Sequence, residues 1–472
     1  MKLSRVWERD VASGSTCGNR GHIKRWAAFA LIGLYNIAMV LGVLLLLPLI
    51  VPLTATSKKR LLTFKRRLWC HSITPGGDKG SSEKPLWVHA LSVGEVFAAQ
   101  PLIRQIQSRY PHLPIVLTVS TLTGFQTALQ LIKGSGVHVT FFPYDLILSV
   151  RRAVSQLDPL AVVFIETDIW PNVLVEMKRC KIPLYLINFR FSDDTWNYYR
   201  RFAWIARGVF GVFEHVCVQT RRDAFRIQHL GGDPARVRIT GNIKFDGVDA
   251  PPVEQVADGW RKQLRIPRHR RVIVAGSTHE GEEAVLLQAF DALKASIADT
   301  LLIIAPRDPD RSDHILTLCR QSGYSCHGLS DPVAGPGRSE TEIVVVDCLG
   351  VLRELYCLAD VVFVGGSLNR DGGHNPLEPS ACGKPVLFGP DMRDFRQIAG
   401  WLLKAQGAKQ VQNAAQLANA WVQLLGDIQA SQHMGRNAYT VFKSHQGAVH
   451  RVLSAIGLDE LTMGGIHEHR SL

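Results

Sequence analysis

The sequence predicts an α/β protein in which two doubly wound parallel sheets follow an apolar N-terminal segment. From residue 85 onward, short apolar runs alternate with longer amphipathic stretches, which is typical of βαβ units. The alternation stops once and then restarts. The chain has 472 residues, more than one ordinary core supports, so two domains are expected.

Six apolar runs predict the strands of a first domain, residues 85–246. They are Leu86–Ala90, Ile115–Val119, Val137–Phe142, Ala161–Ile165, Leu184–Ile187 and Val216–Val218. Helices are predicted between them, for example over Val96–Tyr110 and Gly124–Ile132. The turn-rich segment Gly247–Pro252 interrupts the pattern and marks the domain boundary.

Five further runs predict the second domain, residues 247–456, which a tail over 457–472 follows. They are Val272–Ala275, Leu301–Ala305, Ile343–Val346, Val361–Val364 and Val386–Phe388. Doubly wound sheets bind ligands at the carboxyl ends of their strands. We therefore expect two Rossmann-like domains that face a central cleft.

The N-terminal region predicts attachment to a membrane. A basic extension over 1–26 precedes residues 27–54, which are nearly uncharged and long enough to cross a hydrocarbon core of ~30 Å. This run is too long for a signal-peptide core, so a retained anchor is expected, although Pro48 and Pro52 also permit a segment that enters one leaflet.

Residues 55–84 form a basic region and a linker. Both flanks of the anchor are basic, but the cations directly after it form a denser cluster than Lys24 and Arg25 directly before it, which predicts that the large domains lie on the cytoplasmic face. The same cations would contact anionic headgroups. They are Lys58, Lys59, Arg60, Lys65, Arg66 and Arg67.

The net charge of +13 predicts an anionic partner: nucleic acid, an acidic membrane surface or a phosphorylated substrate. Nucleic acid is the least expected, since no zinc-finger spacing and no RNP-like or basic-zipper pattern occurs. The nine cysteines are scattered and never spaced C-x-x-C, which is typical of reduced thiols in a cytosolic compartment.

The stretch from Val361 to Pro390 carries the most distinctive pattern. A strand ends at Gly365-Gly366, and a second glycine pair leads into a predicted helix with Asn375 as N-cap, Pro376 in the first position and Glu378 in the third. Glycines and free N–H groups at a helix start suit a nucleotide phosphate. Simple turns and caps explain the pattern equally well.

The first strand leads to a second pattern, in which Ser92 and Glu95 stand in S-x-x-E register at a helix start. A capping box explains this register. However, Gly94 in a first helical turn lowers helix stability, and a carboxylate at this strand end could act as a general base. Both interpretations stay open from the residues alone.

Polar residues also follow two other strands of the first domain. Glu166 and Asp168 could polarise a hydroxyl group, or Asp168 could cap a helix. Arg190 could bind an anionic substrate group or form a surface ion pair.

In the second domain, Ser277 and Glu280 form another S-x-x-E pattern at a predicted helix start. Arg307 is a candidate fixed cation for a phosphate or carboxylate. Asp308 and Asp310 form a D-x-D pattern of the metal-binding kind, but the proline between them favours a helix start. No P-loop, no G-x-G-x-x-G after the first strand of either domain and no G-x-S-x-G elbow occurs, which disfavours oxidoreductases and hydrolases.

Five phrases together resemble the Kdo transferases, the family that adds 3-deoxy-D-manno-octulosonic acid (Kdo) to a lipid A precursor. They run in family order over residues 30–450. The phrases are residues 89–95 (HALSVGE), 166–172 (ETDIWPN), 241–246 (GNIKFD), 276–282 (GSTHEGE) and 372–379 (GGHNPLEP).

The resemblance implies a GT-B fold with an anchor in the inner membrane, CMP-Kdo as donor, the phosphorylated disaccharide lipid IVA as acceptor, inversion, and neither metal nor cofactor. It implies that Glu95 is the catalytic base. It also implies donor contacts at Ser277, Arg307, Leu349, Gly350, Asn375 and Glu378. The polar residues described above remain as acceptor or cleft candidates: Ser92, Gly94, Glu166, Asp168 and Arg190.

Some positions depart from the family pattern. Asp308 replaces a histidine, residues 369–371 (NRD) replace Val-Pro-His, and Phe189 replaces an alanine. These changes affect the shape of the donor pocket but not the reaction class. The alternatives are another GT-B enzyme, such as a UDP-sugar transferase or a nucleotide-sugar epimerase, and a membrane-anchored nucleotide-binding regulator.

Overall fold

The computed structural model describes residues 33–42, 44–46, 48, 58–69, 73, 84–166, 169–331 and 341–459. They form two compact units. The first unit contains the chain up to Gly247 and the chain from Gly447 onward, and the second runs from Val248 to Gln446. The boundary near residue 247 agrees with the prediction. The end of the second domain, predicted at residue 456, lies ten residues too late, because the last helix belongs to the first unit.

The first unit contains a seven-stranded parallel sheet. Its strands are β1 Leu86–Ala90, β2 Ile115–Val119, β3 His138–Phe141, β4 Ala161–Ile165, β5 Leu184–Phe189, β6 His215–Val218 and β7 Val237–Ile239. Their order is β3-β2-β1-β4-β5-β6-β7, and every neighbouring pair is parallel. All six predicted strands are present.

Helices cover this sheet on both faces. Successive side chains of β1 enter different cores: Leu86 and Val88 join one cluster, and Trp87 joins the other, as the two-residue period of a strand requires. The helices are Lys58–Trp69, Val93–Arg109, Leu122–Leu131, Ile147–Leu157, Pro171–Cys180, Asp193–Arg201, Ala203–Phe210, Arg221–His229 and Ala448–Ile456, with 3₁₀ turns at Pro234–Arg236 and Ile243–Gly247.

The second unit contains another seven-stranded parallel sheet. Its strands are β8 Arg271–Thr278, β9 Thr300–Pro306, β10 Cys326–Gly328, β11 Ile343–Val345, β12 Val361–Val364, β13 Val386–Phe388 and β14 Ala408–Gln410, in the order β10-β11-β9-β8-β12-β13-β14. The helices are Val253–Gln263, Glu282–Lys294, Ser312–Gln321, Leu352–Leu358, Leu377–Ala381, Arg396–Lys404, Ala414–Gly426 and Ile428–His445, with a 3₁₀ turn at Pro309–Arg311.

Three strands are absent from the predictions: β7, β10 and β14. Each has three residues and lies at the edge of its sheet. Edge strands are short and partly solvated, so they need no apolar run. The pattern that identifies a buried central strand is therefore missing at these positions.

The last helix is held on the first unit by Asp246. The carboxylate of Asp246 accepts hydrogen bonds from the backbone N–H groups of Gly447 and Val449, both at 2.6 Å. Gly447 is the N-cap position and has no side chain that could cap the helix. Asp246 thus caps a helix that begins 201 residues later in the chain.

The predicted anchor, residues 27–54, lies largely outside the described residues, as do the basic extension and the tail beyond residue 459. Residues 33–42 are helical. Tyr35 donates a hydrogen bond to Asp145, and Asn36 and Asn172 exchange hydrogen bonds through their side-chain amides. No helix within the described ranges is long and apolar enough to cross a membrane.

Arg67, one of the cations predicted to lie at lipid headgroups, makes its contacts within the first unit. Its guanidinium donates to the carbonyl oxygens of Phe142 and Ser120 and stacks over the ring of Tyr144, with its central carbon 4.2 Å from the ring centroid. Lys65 and Arg66, in contrast, are exposed.

We predict that Asp246→Ala weakens the attachment of the last helix. Two backbone N–H groups lose a charged acceptor, which is expected to lower the local stability by about 1–3 kcal/mol. Hydrogen exchange of the amides in Ala448–Ile456 should become faster, whereas the control Asp258→Ala, which removes an exposed carboxylate, should leave it unchanged. Equal exchange in both variants would contradict the capping role.

Candidate active site

Most of the predicted site residues lie where the strand order of each sheet reverses. In the first sheet, β1 separates β2 from β4; Glu95 lies in the first turn of the helix that follows β1, and Glu166 directly follows β4. In the second sheet, β8 separates β9 from β12. Ser277 lies near the end of β8, Arg307 directly follows β9, and Asn375 and Glu378 come after the loop that follows β12. Doubly wound folds bind ligands at such switch points.

Glu282 fixes the switch point of the second sheet. Its side chain is completely buried, and its carboxylate accepts four backbone hydrogen bonds. The donors are the N–H groups of His279 at 2.9 Å, Gly366 at 2.7 Å, and Ser367 and Leu368 at 3.0 Å each. One carboxylate therefore joins the loop after β8 to the loop after β12.

Ser367 extends this connection to the next strand. Its hydroxyl group accepts a hydrogen bond from the N–H of Gly389, at 2.8 Å, and donates to the carbonyl oxygen of Val364. Gly389 directly follows β13. The carboxyl ends of β8, β12 and β13 are thus tied into one platform.

The glycine pair after β12 serves the protein's own packing. A Cβ atom on Gly365 would lie 2.5 Å from the carbonyl oxygen of Ser277, so no other residue fits. Gly366 has a φ of +65° and packs against His374. We expected these glycines to make room for a ligand. In the structure, they allow two segments of the protein to approach each other closely.

The predicted S-x-x-E pattern of Ser277 and Glu280 is wrong in register. The helix begins at Glu282, with Gly281 as N-cap, and it is Glu282 that accepts from the backbone N–H of His279. Glu280 is exposed. Ser277 is half-buried and has a φ of +57°, an unfavourable conformation for a residue with a side chain.

Arg307 lies at the end of β9 as an exposed cation. Its backbone N–H donates to the carbonyl oxygen of Thr278, and its guanidinium has no ion pair among the described residues. The neighbouring Arg311, by contrast, donates two hydrogen bonds of 3.0 Å to Glu283.

Asp308 accepts from the N–H of Asp310 and caps a 3₁₀ turn, so the interpretation of this segment as a helix start is confirmed.

Asn375 and Glu378 form the start of a short helix, as predicted. Asn375 accepts from the N–H of Leu377 at 3.0 Å, and its amide lies 3.4 Å from a carboxylate oxygen of Glu378. The helix Leu377–Ala381 has five residues and begins one position later than predicted. Burial raises the pKa of Glu378, while the hydrogen bond from Asn375 and the charges of Arg353 and Arg307 act in the opposite direction.

Leu349 and Gly350 lie in the loop before the helix Leu352–Leu358. Leu349 is 77% exposed, and a Cβ atom on Gly350 would meet no protein atom. The space beside this loop is therefore open. A residue that lines a binding site needs such space for the ligand.

Sequence reasoning missed a pair of histidines on the platform. The Nε2 atoms of His279 and His374 are 2.7 Å apart, and Nδ1 of His279 lies 3.4 Å from a carboxylate oxygen of Asp371. Both histidines stand inside phrases of the family resemblance, beside predicted donor contacts. Their proximity in sequence to Ser277 and Asn375 is the signal that could have identified these histidines as candidates.

In the first unit, Glu95 is buried and its carboxylate accepts a hydrogen bond from the backbone N–H of Leu91. Ser92 is the N-cap residue, but its side chain accepts no capping hydrogen bond. The capping box expected from the S-x-x-E register is therefore not formed by this pair. A Cβ atom on Gly94 would meet no protein atom, so the space beside the first helical turn is open.

Glu166 lies beside Lys244, a residue that the sequence analysis did not single out as a site candidate. The ammonium nitrogen of Lys244 is 2.9 Å from a carboxylate oxygen of Glu166, and the amide of Asn188 lies 3.3 Å from the same oxygen. Glu166 and Asn188 both have positive φ angles, of 65° and 55°. Such strained residues at the ends of adjacent strands are typical of functional sites.

A further candidate, Arg190, directly follows β5 at this edge. Arg190 is half-buried and has no hydrogen bond or ion pair among the described residues. Asp168 lies outside the residues that the structure describes. Within the described parts of the chain, no three His, Cys, Asp or Glu side chains are grouped as metal ligands.

Comparison with known proteins decides the family. A family model for 3-deoxy-D-manno-octulosonic-acid transferase (kdotransferase) matches residues 62–247. The 3-deoxy-D-manno-octulosonic acid transferase of Haemophilus influenzae is 31% identical over 372 residues, which cover 79% of this chain and 86% of that protein. The chain belongs to the Kdo transferase family.

The resemblance inferred from five phrases is thus confirmed, and the protein is a glycosyltransferase. The Kdo transferase of Bordetella pertussis is 32% identical over 383 residues, with 79% of this chain and 86% of that protein covered. A glycosyltransferase structure from Rickettsia africae has a TM-score of 0.52 at 12% identity and covers 81% of this chain and 99% of that one. This likeness extends to the fold of two parallel-sheet α/β domains.

We predict that Glu282→Gln destabilises the second unit. An amide offers one acceptor oxygen to four N–H donors and opposes the others with its own N–H₂ group, so the unfolding free energy should fall by about 2–4 kcal/mol. Urea unfolding of the full chain measures this change. The matched variant Glu280→Gln, at an exposed position, should change it by less than ~0.5 kcal/mol. Similar effects in both variants would contradict the central position of Glu282.

Glu378→Gln should have the opposite effect on stability. Because its pKa is raised in the folded protein, Glu378 contributes stability below the unfolded-state pKa and loses that contribution as the pH rises through the folded-state pKa. The variant does not titrate, so its melting temperature should exceed that of the wild type at neutral pH and approach it in acid. The exposed Glu254→Gln serves as control. A difference that does not depend on pH would contradict the assignment.

Proposed function

We propose that this protein transfers Kdo from CMP-Kdo to a phosphorylated lipid A precursor, lipid IVA, in lipopolysaccharide core biosynthesis. Its membership of the Kdo transferase family supports the reaction. One structural observation carries the placement of the donor: Arg307 is an exposed cation that forms no ion pair with any described residue, at the same switch point as Ser277, Asn375 and Glu378.

The donor leaves as CMP, which carries a single phosphate. When the bond between the anomeric carbon and the phosphate oxygen breaks, negative charge accumulates on that phosphate. A guanidinium already in place can stabilise this charge without reorganisation. We therefore propose a reaction that proceeds without a metal ion, with Arg307 as the principal cation and Leu349 and Gly350 beside the nucleotide.

Glu95 is proposed as the base that takes the proton from the attacking acceptor hydroxyl, with inversion at the anomeric carbon. The hydrogen bond from Leu91 fixes its carboxylate, and the open space beside Gly94 leaves room for the acceptor. This role belongs with the GT-B fold that the family resemblance implies.

The acceptor is proposed to bind at the carboxyl edge of the first sheet. Lipid IVA carries phosphate groups, and the half-buried Arg190 has no anionic partner within the described ranges. Lys244 pairs with Glu166 and adds a second cation at this edge. Ser92 is a further candidate contact.

We propose attachment to the cytoplasmic face of the inner membrane. Four leucine and isoleucine side chains that share one face at helical spacing are more than half exposed, while Tyr35 and Asn36 on other faces contact the first unit. Such an apolar face is suited to a lipid leaflet, with Lys65 and Arg66 at the anionic headgroups. The four are Leu34, Ile37, Leu41 and Leu45.

The direct test is incubation of the full-length protein with CMP-Kdo and lipid IVA, followed by mass spectrometry. A mass increase of one or more Kdo residues supports the proposal, and the increase gives their number. An unchanged lipid, with the protein folded and the donor intact, contradicts it.

We predict that Glu95→Gln lowers turnover by about 10²–10⁴-fold, since an amide cannot accept the hydroxyl proton. Binding of CMP should be retained because the proposed donor contacts lie in the other unit. Turnover is measured from the lipid product, and CMP binding by calorimetry. The exposed Glu214→Gln in the same unit should behave like the wild type. Retained turnover in Glu95→Gln would exclude Glu95 as the base.

The nucleotide separates this proposal from the alternative enzymes. A Kdo transferase is expected to show a higher melting temperature with CMP, whereas a UDP-sugar transferase or epimerase would respond to UDP. A nucleotide-binding regulator would bind a nucleotide but form no lipid product.

A further inference from the structure

The paired histidines on the donor platform are not used by the mechanism above. The 2.7 Å contact between the Nε2 atoms of His279 and His374 requires a proton on one of them, since two bare ring nitrogens repel. The contact is therefore a hydrogen bond with a defined direction.

The partners of the pair assign that direction. A carboxylate oxygen of Asp371 lies 3.4 Å from Nδ1 of His279, which favours a proton on that nitrogen. In a neutral pair, Nε2 of His279 is then the acceptor and Nε2 of His374 the donor. Nδ1 of His374 remains without a proton, and no described residue donates to it.

We propose that His279 and His374 form a proton-linked binding site for the phosphate of the donor nucleotide, and that the pair takes up a proton when this anion binds. A bare nitrogen repels a phosphate oxygen, whereas a protonated Nδ1 can donate a hydrogen bond to it. This inference rests on the proposed function and adds a contact to the same site.

Charges around the pair support this coupling. Burial, followed by His279 and Arg307, lowers the pKa of His374 to about 4, while Asp371 acts in the opposite direction. His374 is thus neutral near physiological pH without a ligand. A phosphate beside Arg307 offsets the positive charge of that residue and raises the pKa of His374.

The other charged groups near the pair are fixed by contacts of their own. They are Glu282, bound to four backbone N–H groups; Glu378, bound to Asn375; and Asp391, paired with Arg393 at 2.8 Å. Asp394 lies beside Gly372, and its charge interacts with that of Arg393. An incoming anion is therefore the group that changes the charge balance at His374.

The test is calorimetry of CMP binding to the full-length protein, in two buffers with different ionisation enthalpies. The wild type should take up about one proton more than His374→Gln, which cannot titrate but keeps a side-chain N–H at the Nε2 position. The phosphate of CMP contributes equally in both proteins. The exposed His314→Gln in the same unit should match the wild type.

A second measurement does not depend on a variant. NMR of histidine-labelled wild-type protein should show protonation of one imidazole on addition of CMP. Equal proton uptake by the wild type and a folded His374→Gln, or an unchanged imidazole spectrum, would overturn the inference and leave Kdo transfer intact. A wild type that neither binds CMP nor transfers Kdo would instead overturn the proposed function, and this inference with it.

Discussion

The buried carboxylate of Glu282 is the interaction on which the second unit depends. Four backbone N–H groups from two loops converge on its two oxygens. Hydrogen bonds to a charged acceptor contribute about 1.5–3 kcal/mol each, and buried donors without an acceptor destabilise the fold by a similar amount. Because the loops follow neighbouring strands, this single group fixes the relative positions of Ser277, the histidine pair and the segment that leads to Asn375.

Strain at the strand ends is consistent with function at these edges. Ser277, Asn188 and Glu166 are non-glycine residues with positive φ angles, and each directly follows or ends a central strand. Their contacts hold them in place: Asn188, for example, accepts from the N–H of Ile243 through its side chain and from Gln219 through its carbonyl oxygen. A sheet that needed only stability would not require such conformations.

Much of the fold could be predicted from the sequence because it depends on local patterns. Central strands are continuous apolar runs, and the boundary near Gly247 follows from turn residues. Candidate site residues such as Arg307 and Asn375 come directly after predicted strands or at a predicted helix start. Their positions required no knowledge of distant contacts.

The remainder depends on contacts between distant parts of the chain. His279 and His374 are 95 residues apart, and Glu282 binds residues more than 80 positions away. The helix after β8 begins at Glu282 rather than earlier because this glutamate, and not Glu280, is buried beneath the loop after β12. The last helix returns to the first unit because Asp246 caps it. None of these relations produces a local periodicity.

Hydrogen exchange of the full-length protein with and without CMP tests the central claim most directly. If the platform organised by Glu282 binds the donor nucleotide, CMP should slow exchange in the loops after β8 and β12, which contain His279 and His374, and UDP should have little effect. Protection by CMP confined to other segments, or protection by UDP alone, would contradict the account.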